Sequence, residues 1–515
     1  MLPTRTSSRV GHQEVARRLR VLHSRSIKNT RTVPPDGAIN TLPPPRLDYK
    51  SIIENEAYHV QNIANRKLPG SGNLVEKVKE LHQLHSSLVA GVNEIRQERN
   101  TLARNVKMAK TSEDRAAALQ RANSRSKNIK DFLAIQEPMT SGAEIQLLHA
   151  GLQIPNITHP DSPVGPESAA KVLSTHGPER LPTDAARDHA KVGKELGIIS
   201  FDEAAAVTGS AWYYLRGAGA LLEQALVNYA LQIAIKHGFT PVIPPDVIKA
   251  DYAARCGFAP RDEPDQHGKV VHHFYHLQGT SNNLVLAGTA EIPLAGMFAQ
   301  RTFLERELPA RVVAVGHAFR SEAGSRGAVT RGLYRVHQFT KVELFAVTEQ
   351  NQSSDMMEEL RKIQIEIFGG LGFPFRVLDM PTEELGHAAY RKYDMEAWMP
   401  GRGGWGEISS TSNCLDFQAR RLHIQYRTVQ TSNKDGLLPQ SDEADKRITF
   451  AHTLNGTAAA IPRLIVALLE NGVVLNQSKQ VVELRLPSCL RRYWLGNDSL
   501  GPAVSIRWID QPITT

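Results

Sequence analysis

Between Val78 and Val106 the core-type positions fall at 78, 81, 85, 88, 92, 95, 99, 102 and 106, with only His85 and Arg99 breaking the apolar set. Alternating steps of three and four, sustained over about four heptads, predict a long coiled-coil helix. A polar turn at Thr111–Asp114 follows, and Leu119, Ala122, Ser126, Ile129 and Leu133 continue the pattern in a second helix. Two such helices joined by a short turn predict an antiparallel hairpin. Pro138 and Gly142 predict a kink or break in the returning helix, because proline removes a hydrogen bond and crowds the preceding turn.

From about Asp188 onward, amphipathic helices alternate with short β-rich runs. One helix is predicted over Gly217–His237, with Leu221, Leu222, Ala225, Leu226, Tyr229 and Ile233 on one side. His452–Gly472 reads as a strand, a turn and a helix, with Pro462 near the helix start and Gly472 at its end. The most informative stretch is Phe319–Phe345, which reads as two strands joined by a Gly/Arg-rich loop. Side chains alternate with period two along a strand, so Arg335, His337, Phe339, Lys341 and Glu343 share one face of the second strand. Val336, Gln338, Thr340, Val342 and Leu344 share the other. At about 3.3 Å per residue, Arg335 and Glu343 lie about 26 Å apart on that face. Arg320 and Glu322 share a face of the preceding strand. A cation, an aromatic plate and a carboxylate in line suit an extended ligand with a polyphosphate, a flat base and an ammonium, such as ATP bent against an amino acid.

Composition adds limits. A chain of 515 residues suggests two or three units, and 41% hydrophobic residues suffice for a sizeable core. No uninterrupted apolar run approaches the 18 or so residues that span a bilayer, so no membrane insertion is expected. Cys256, Cys414 and Cys489 form no CxxC pair and suit a reducing compartment. His272, His273 and His276 lack a Cys or carboxylate at ligand spacing and read as part of a polar strand or loop. There is no Walker P-loop and no GxGxxG after a strand.

Charge is uneven. Residues 1–45 carry eight basic residues against two acidic ones, a net +6 of the chain's total of +8. An Arg- and Ser-containing, acid-poor leader with a short basic amphipathic stretch at 13–22 reads as a mitochondrial transit peptide, followed by a Pro-rich linker at Pro34–Pro45. Between Arg96 and Lys130, ten basic residues face three acidic ones, a net +7 at the free end of the hairpin. A tip this basic suits contact with a phosphate backbone.

The segment RGLYRVHQFTKVELF closely resembles motif 2 of class II aminoacyl-tRNA synthetases in the form found in seryl-tRNA synthetases. The resemblance runs from about Arg46 to Trp494 through several blocks in order. The implied fold is α+β, an antiparallel sheet flanked by helices, with an N-terminal antiparallel coiled-coil arm. The implied domains are a leader at 1–45, a tRNA-binding domain at 46–160 and a catalytic domain at 161–515. LQIPNITHPDSPVGPE (Leu152–Glu167) resembles the family's linker between arm and body, and GFTPVIPPDV (Gly238–Val247) resembles motif 1, which implies a homodimer interface around Pro245.

The resemblance implies a two-step reaction. The carboxylate of L-serine attacks the α-phosphate of ATP, giving seryl-adenylate and pyrophosphate, and a ribose hydroxyl of tRNA(Ser) then takes the seryl group. Residue by residue, it implies that Arg320 contacts the α-phosphate, Glu322 reads the adenine amino group, Phe339 stacks on the base and Arg335 holds the γ-phosphate. The backbone near Val336 frames the nucleotide. In GEISSTSNCLDFQARR, Glu407 and Ser410 match Mg²⁺ ligands, and hard oxygen donors are what that ion prefers. Arg463 matches the motif 3 arginine that meets the γ-phosphate, and a charge in so apolar a stretch is costly unless paired. Thr289 and Glu291, within GTAEIPL, match the loop for the serine amino group. Glu343 and Thr457 match residues around the serine side chain, with Arg320 beside them and Asn455 supporting the wall. Such a pocket rejects alanine because alanine leaves buried polar groups unpaired. Arg115, Arg121 and Arg125 lie just past the hairpin turn and are the expected tRNA contacts.

Every residue assigned to ATP or serine lies in the body, so the adenylation pocket is expected to be built from the body alone. The competing readings are a synthetase for another amino acid and a catalytically inactive paralogue acting as an RNA-binding or structural protein. The loops at 261–271 and 428–447 and the tail after Trp494 depart from the family pattern.

Overall fold

The computed structural model describes residues 42–68, 73–258, 263–264, 270–271, 274–279, 283–322, 332–429, 446–501 and 504–510. The predicted helix at 13–22, the linker prolines up to residue 41, His272 and His273 lie outside these.

The arm consists of α1 (Leu74–Met108) and α2 (Ser112–Leu152). Val78, Leu81, Leu88 and Val92 are buried as the heptads require, and Arg99 is exposed. The turn comes slightly earlier than predicted. Thr111 caps α2, its hydroxyl accepting from the Asp114 backbone N–H at 3.0 Å, and Glu113 and Asp114 favour the helix N-terminus. Leu119, predicted to lie in the seam, is exposed. α2 also runs through Pro138 and Gly142 without the predicted break. Both sides of Pro138 are anchored, by Ile129 and Leu133 in a small cluster with Val92 and by Leu147 and Ala150 in a second one. The Arg96–Glu137 ion pair at 2.8 Å adds to this beside the proline. That second cluster, with Ile52, Ile63, Leu74, Val75 and Val78, is a separate core at the arm's base.

The body is built on an eight-stranded sheet. Its strands in chain order are β1 (Lys171–His176), β2 (Thr240–Val242), β3 (Ala310–Phe319), β4 (Gln338–Thr348), β5 (Phe375–Asp379), β6 (Arg391–Met399), β7 (Gly404–Asn413) and β8 (His452–Ala460). The spatial order is β1-β5-β6-β7-β8-β4-β3-β2, and every neighbouring pair is antiparallel except β3–β2 at the edge. This is the antiparallel sheet that the family resemblance implied.

Three helices supply the core on one face: α3 (Ala218–Lys236), α5 (Ser353–Leu371) and α7 (Ile461–Gly472). Val342, Leu344 and Ala346 of β4 join Leu222, Leu226, Leu360, Ile363, Leu464 and Leu468 in one large buried cluster. α7 follows β8 directly, without the expected turn, and Pro462 sits in its first turn, where the missing N–H is no loss. α3 is long and apolar enough to cross a membrane by length and composition, with a mean hydropathy of 1.2. Here it places Leu222, Ala225, Leu226, Ala230 and Ile233 in the core.

On the opposite face lie two short helices, α4 (Glu291–Met297) and α6 (Phe417–Leu422). The polar loops are partly strand at their ends: Glu263–Pro264 pairs with Val270–Val271, and Gln425–Val429 with Lys446–Phe450. The described part of the tail includes a strand. Ser505–Ile509 pairs in parallel with Val481–Pro487, and Trp508 packs edge-on to Trp494 at 5.5 Å.

Candidate active site

Val342 and Leu344 point into the core, and the period-two alternation therefore drives Lys341 and Glu343 to the other face of β4. There they line a cavity of about 270 Å³ together with Thr289, Glu291, Arg320, Ser410 and Asn455. That is below the usual range for drug-sized ligands and leaves room only for a small molecule.

The alternation does not extend back to Arg335. β4 begins at Gln338, and Arg335, Val336 and His337 form a bend before it. Gly332, at φ +72°, starts this bend, and the Leu333 N–H donates to His189 Nε2 at 3.1 Å. Likewise Arg320 and Glu322 lie just beyond the end of β3. The two chain segments are stitched by Arg320 N–H to His337 O at 2.9 Å. Arg335 reaches back to Glu322 at 3.5 Å. The expected line from Arg335 to Glu343 is therefore strand only from Gln338 onward, and its first three residues turn off it.

Val336 is buried, so its side chain contributes to the packing while its backbone borders the bend. The Arg320 guanidinium lies over the Phe339 ring at 5.3 Å and donates through Nε to Gly288 O at 3.4 Å. Phe339 itself lines a separate hollow with Trp212 and Thr340. Thr457 pairs with Glu343 across β4 and β8 but does not line the cavity.

The cavity's acidic end is tightly organised. Glu291, at the start of α4, is buried, and its Oε1 accepts from Gln418 Nε2 at 2.6 Å and from Asn455 Nδ2 at 2.9 Å. Burial and the nearby Glu343 carboxylate push the Glu291 carboxyl up to about 8, against the Gln418 hydrogen bond, which lowers it. Lys341 neutralises Glu343 at 2.5 Å. Cys256 and Cys414, both free and buried, complete this wall.

Beside the cavity, Arg463 is paired as its apolar setting demands. Its Nη1 reaches Glu407 Oε2 at 3.1 Å and Glu407 O at 3.0 Å, its Nε donates to Tyr334 O at 3.2 Å, and its guanidinium stands 4.7 Å from the Tyr334 ring. Burial alone would raise the Glu407 carboxyl, but Arg463, Lys392 and Arg320 together pull it down to about 2. Lys392 also lines the cavity and pairs with Asp394 at 2.7 Å. Asp394 in turn faces Ser410 across β6 and β7.

Sequence reasoning misses Lys341, Lys392 and Gln418 as site residues. Lys341 shares the period-two face with Glu343, and Gln418 stands inside GEISSTSNCLDFQARR, so a signal exists for both. At the arm's turn, Arg115 and Arg121 are exposed as expected, whereas Arg125 is held by Glu98 at 2.7 Å across the hairpin.

A family model of the tRNA synthetase class II core domain (G, H, P, S and T) matches residues 275–472, and one of the seryl-tRNA synthetase N-terminal domain matches residues 47–158. Sheet, cavity and core match together define a class II aminoacyl-tRNA synthetase. Among its relatives, the serine–tRNA ligase of Treponema denticola is 39% identical over 446 residues, covering 86% of this chain and 98% of the relative. The mitochondrial serine–tRNA ligase of Mus musculus is 38% identical over 466 residues, covering 88% and 84%. The crystal structure of seryl-tRNA synthetase from Pyrococcus horikoshii complexed with ATP superposes with a TM-score of 0.73 at 32% identity, covering 87% of this chain and 98% of that one. The chain belongs to the seryl-tRNA synthetases, the class II serine–tRNA ligases.

Proposed function

We propose that this enzyme activates L-serine with ATP and transfers the seryl group to tRNA(Ser) in mitochondrial translation. The observation that carries the reading is the lining of the small cavity, which brings the carboxylates Glu291 and Glu343 together with Arg320. A serine ammonium fits the acidic end through Glu291 and Thr289. Its hydroxyl fits Glu343, with Asn455 fixing the wall and Thr457 opposite Glu343 in the next strand. The serine carboxylate then faces Arg320, whose rigid fork suits the α-phosphate it attacks. The bond from carboxylate oxygen to α-phosphorus forms as the bond to the bridging oxygen breaks and pyrophosphate leaves with the electron pair. No strong base is needed, so positioning and neutralisation of phosphate charge carry the rate.

For the nucleotide, Glu322 and the backbone near Val336 are assigned to the adenine edge, Phe339 to its face, and Arg335 and Arg463 to the γ-phosphate. Mg²⁺ fits Glu407 and Ser410, since both offer hard oxygen and the depressed Glu407 carboxyl is ionised at neutral pH. The ion, when bound, supplies charge neutralisation of the triphosphate. Arg115, Arg121 and Arg125 are assigned to the tRNA backbone. A homodimer is supported by the motif 1 segment, where β2 is a sheet edge and neighbouring Ile243 is 94% exposed. The mitochondrial setting rests on the basic leader and on mitochondrial relatives from Mus musculus and Saccharomyces cerevisiae.

Serine-dependent ATP–pyrophosphate exchange by residues 46–515 tests the activity. Strongest exchange with threonine or alanine instead of serine overturns it. Deleting residues 1–45 should leave aminoacylation intact and abolish import, and unchanged import of the truncated chain refutes the localisation.

A further inference from the structure

The segment 384–390 forms one wall of the amino-acid cavity through Glu384, Gly386, His387, Ala388 and Ala389. Such a loop has carbonyls that must find donors, and here the donors come from the N-terminal domain. Gly386 O accepts from Arg66 Nη1 at 2.9 Å, and Ala389 O accepts from Arg66 Nη2 at 2.9 Å. Between them, His387 O accepts the backbone N–H of Asn156 at 2.8 Å, and Ala388 O accepts Asn156 Nδ2 at 2.8 Å. Tyr390 O takes the backbone N–H of His159 at 2.9 Å. Five successive carbonyls are thus held from the arm's base and its linker. Asn156 Nδ2 also donates to the carbonyl of Cys414, on a second wall of the same cavity, at 2.8 Å.

The clamp itself is prearranged. Asn156 O receives Asn62 Nδ2 at 2.9 Å, and Thr158 Oγ1 donates to Asn62 Oδ1 at 2.6 Å while accepting from Arg66. Arg66 is 2% exposed, and among the described residues its five side-chain hydrogen bonds go to carbonyls and to the Thr158 hydroxyl, none to a carboxylate. A buried guanidinium without a counter-charge is a poor way to gain stability, whereas its planar fork suits the holding of several carbonyls in fixed relation. Asn65 O accepts Thr382 Oγ1 at 2.7 Å, and Lys67 pairs with Glu383 at 2.8 Å, extending the grip to the start of the segment.

We propose that Arg66 and Asn156 are positioning residues for serine recognition, through which the tRNA-binding domain shapes one wall of the amino-acid cavity. The proposal rests on the reading of that cavity as the serine site. The residues that line the cavity all lie in the body, and the clamp acts on one of its walls from behind.

The test is serine-dependent pyrophosphate exchange without tRNA by the full chain carrying Asn156→Asp, Arg66→Lys or, as a reference, Glu291→Gln. Asn156→Asp replaces the donating amide with a group that repels two carbonyls. Arg66→Lys keeps the charge but loses the fork. For both, the KM for serine should rise about tenfold, the size expected for one lost hydrogen bond to a charged or buried group, with kcat and the KM for ATP within about twofold of wild type. Arg66→Lys serves if Asn156→Asp does not fold. A folded variant with unchanged serine KM, or with serine and ATP KM raised equally, overturns the proposal by leaving these residues a merely structural role. If Glu291→Gln also leaves the serine KM unchanged, the reading of the cavity itself has failed. If Glu291→Gln raises it and the clamp variants do not, only the clamp has failed.

Discussion

Gln418 donates its amide to Oε1 of Glu291 at 2.6 Å and is itself held by Thr453, whose hydroxyl donates to Gln418 Oε1 at 2.8 Å. A carbonyl can only accept, so the bond from Gln418 Nε2 to Cys256 O at 3.2 Å fixes the amide with its nitrogen toward Glu291. Asn455 donates to the same Oε1 at 2.9 Å, so two side-chain amides hold one carboxyl oxygen.

A pH dependence follows. Glu291 must be ionised to hold an ammonium, yet burial and Glu343 raise its carboxyl to about 8, with Gln418 opposing. The groups facing it are Glu343, Lys341, Cys256 and Cys414. Serine kcat/KM should climb with pH toward about 8, and Gln418→Met should move that limb to higher pH. A pH–rate profile of pyrophosphate exchange checks it. A variant that loses rate equally at every pH would show Gln418 to be only a packing residue.

Glu407 has the opposite sign. Its folded carboxyl is depressed from the ordinary 4.5 to about 2, so the stability it contributes is present above about 4.5 and is lost as pH falls toward 2. Melting temperatures measured across that window should fall less steeply for Glu407→Gln than for the wild type. Equal slopes would mean that the Arg463 pair is not what holds the proton off.

Arg320→Ala should remove stabilisation of charge at the α-phosphate. One such interaction is worth about 3–4 kcal/mol, or on the order of 10²–10³ in rate. Single-turnover adenylate formation should fall by that factor while the circular dichroism spectrum is unchanged. Near-normal adenylate formation by a folded variant takes Arg320 out of the reaction.

What the sequence made legible was what has a period. The heptads located α1, and alternation put Lys341 and Glu343 on one face against Val342 and Leu344. The resemblance named Glu291, Arg320, Glu343, Ser410 and Asn455, which the fold brings to one cavity. Features set by distant packing were not legible. α2 passes Pro138 because clusters on both sides hold it, and Arg335 leaves the strand face because the chain bends at Gly332. The Arg66 bond to Gly386 spans 320 residues, and no local pattern announces it.

The arm and the cavity can be separated by experiment. α1 runs 35 residues from Leu74, about 52 Å at 1.5 Å per residue, so the basic tip is remote from the clamp at the arm's base. Arg115 and Arg121 are exposed there, and Arg125 is engaged with Glu98, so replacing all three with alanine also leaves Glu98 unneutralised. tRNA(Ser) binding should weaken, and its salt dependence should flatten by roughly 0.7–0.9 log units of slope for each phosphate no longer neutralised. The KM for tRNA should rise, whereas serine-dependent pyrophosphate exchange without tRNA should stay at the wild-type level, because Arg66 and Asn156 are untouched. Filter binding over a salt series and exchange assays on the same preparation distinguish the outcomes. A loss of both activities would make the tip a support of the fold, and no change in either would make it a solvated surface.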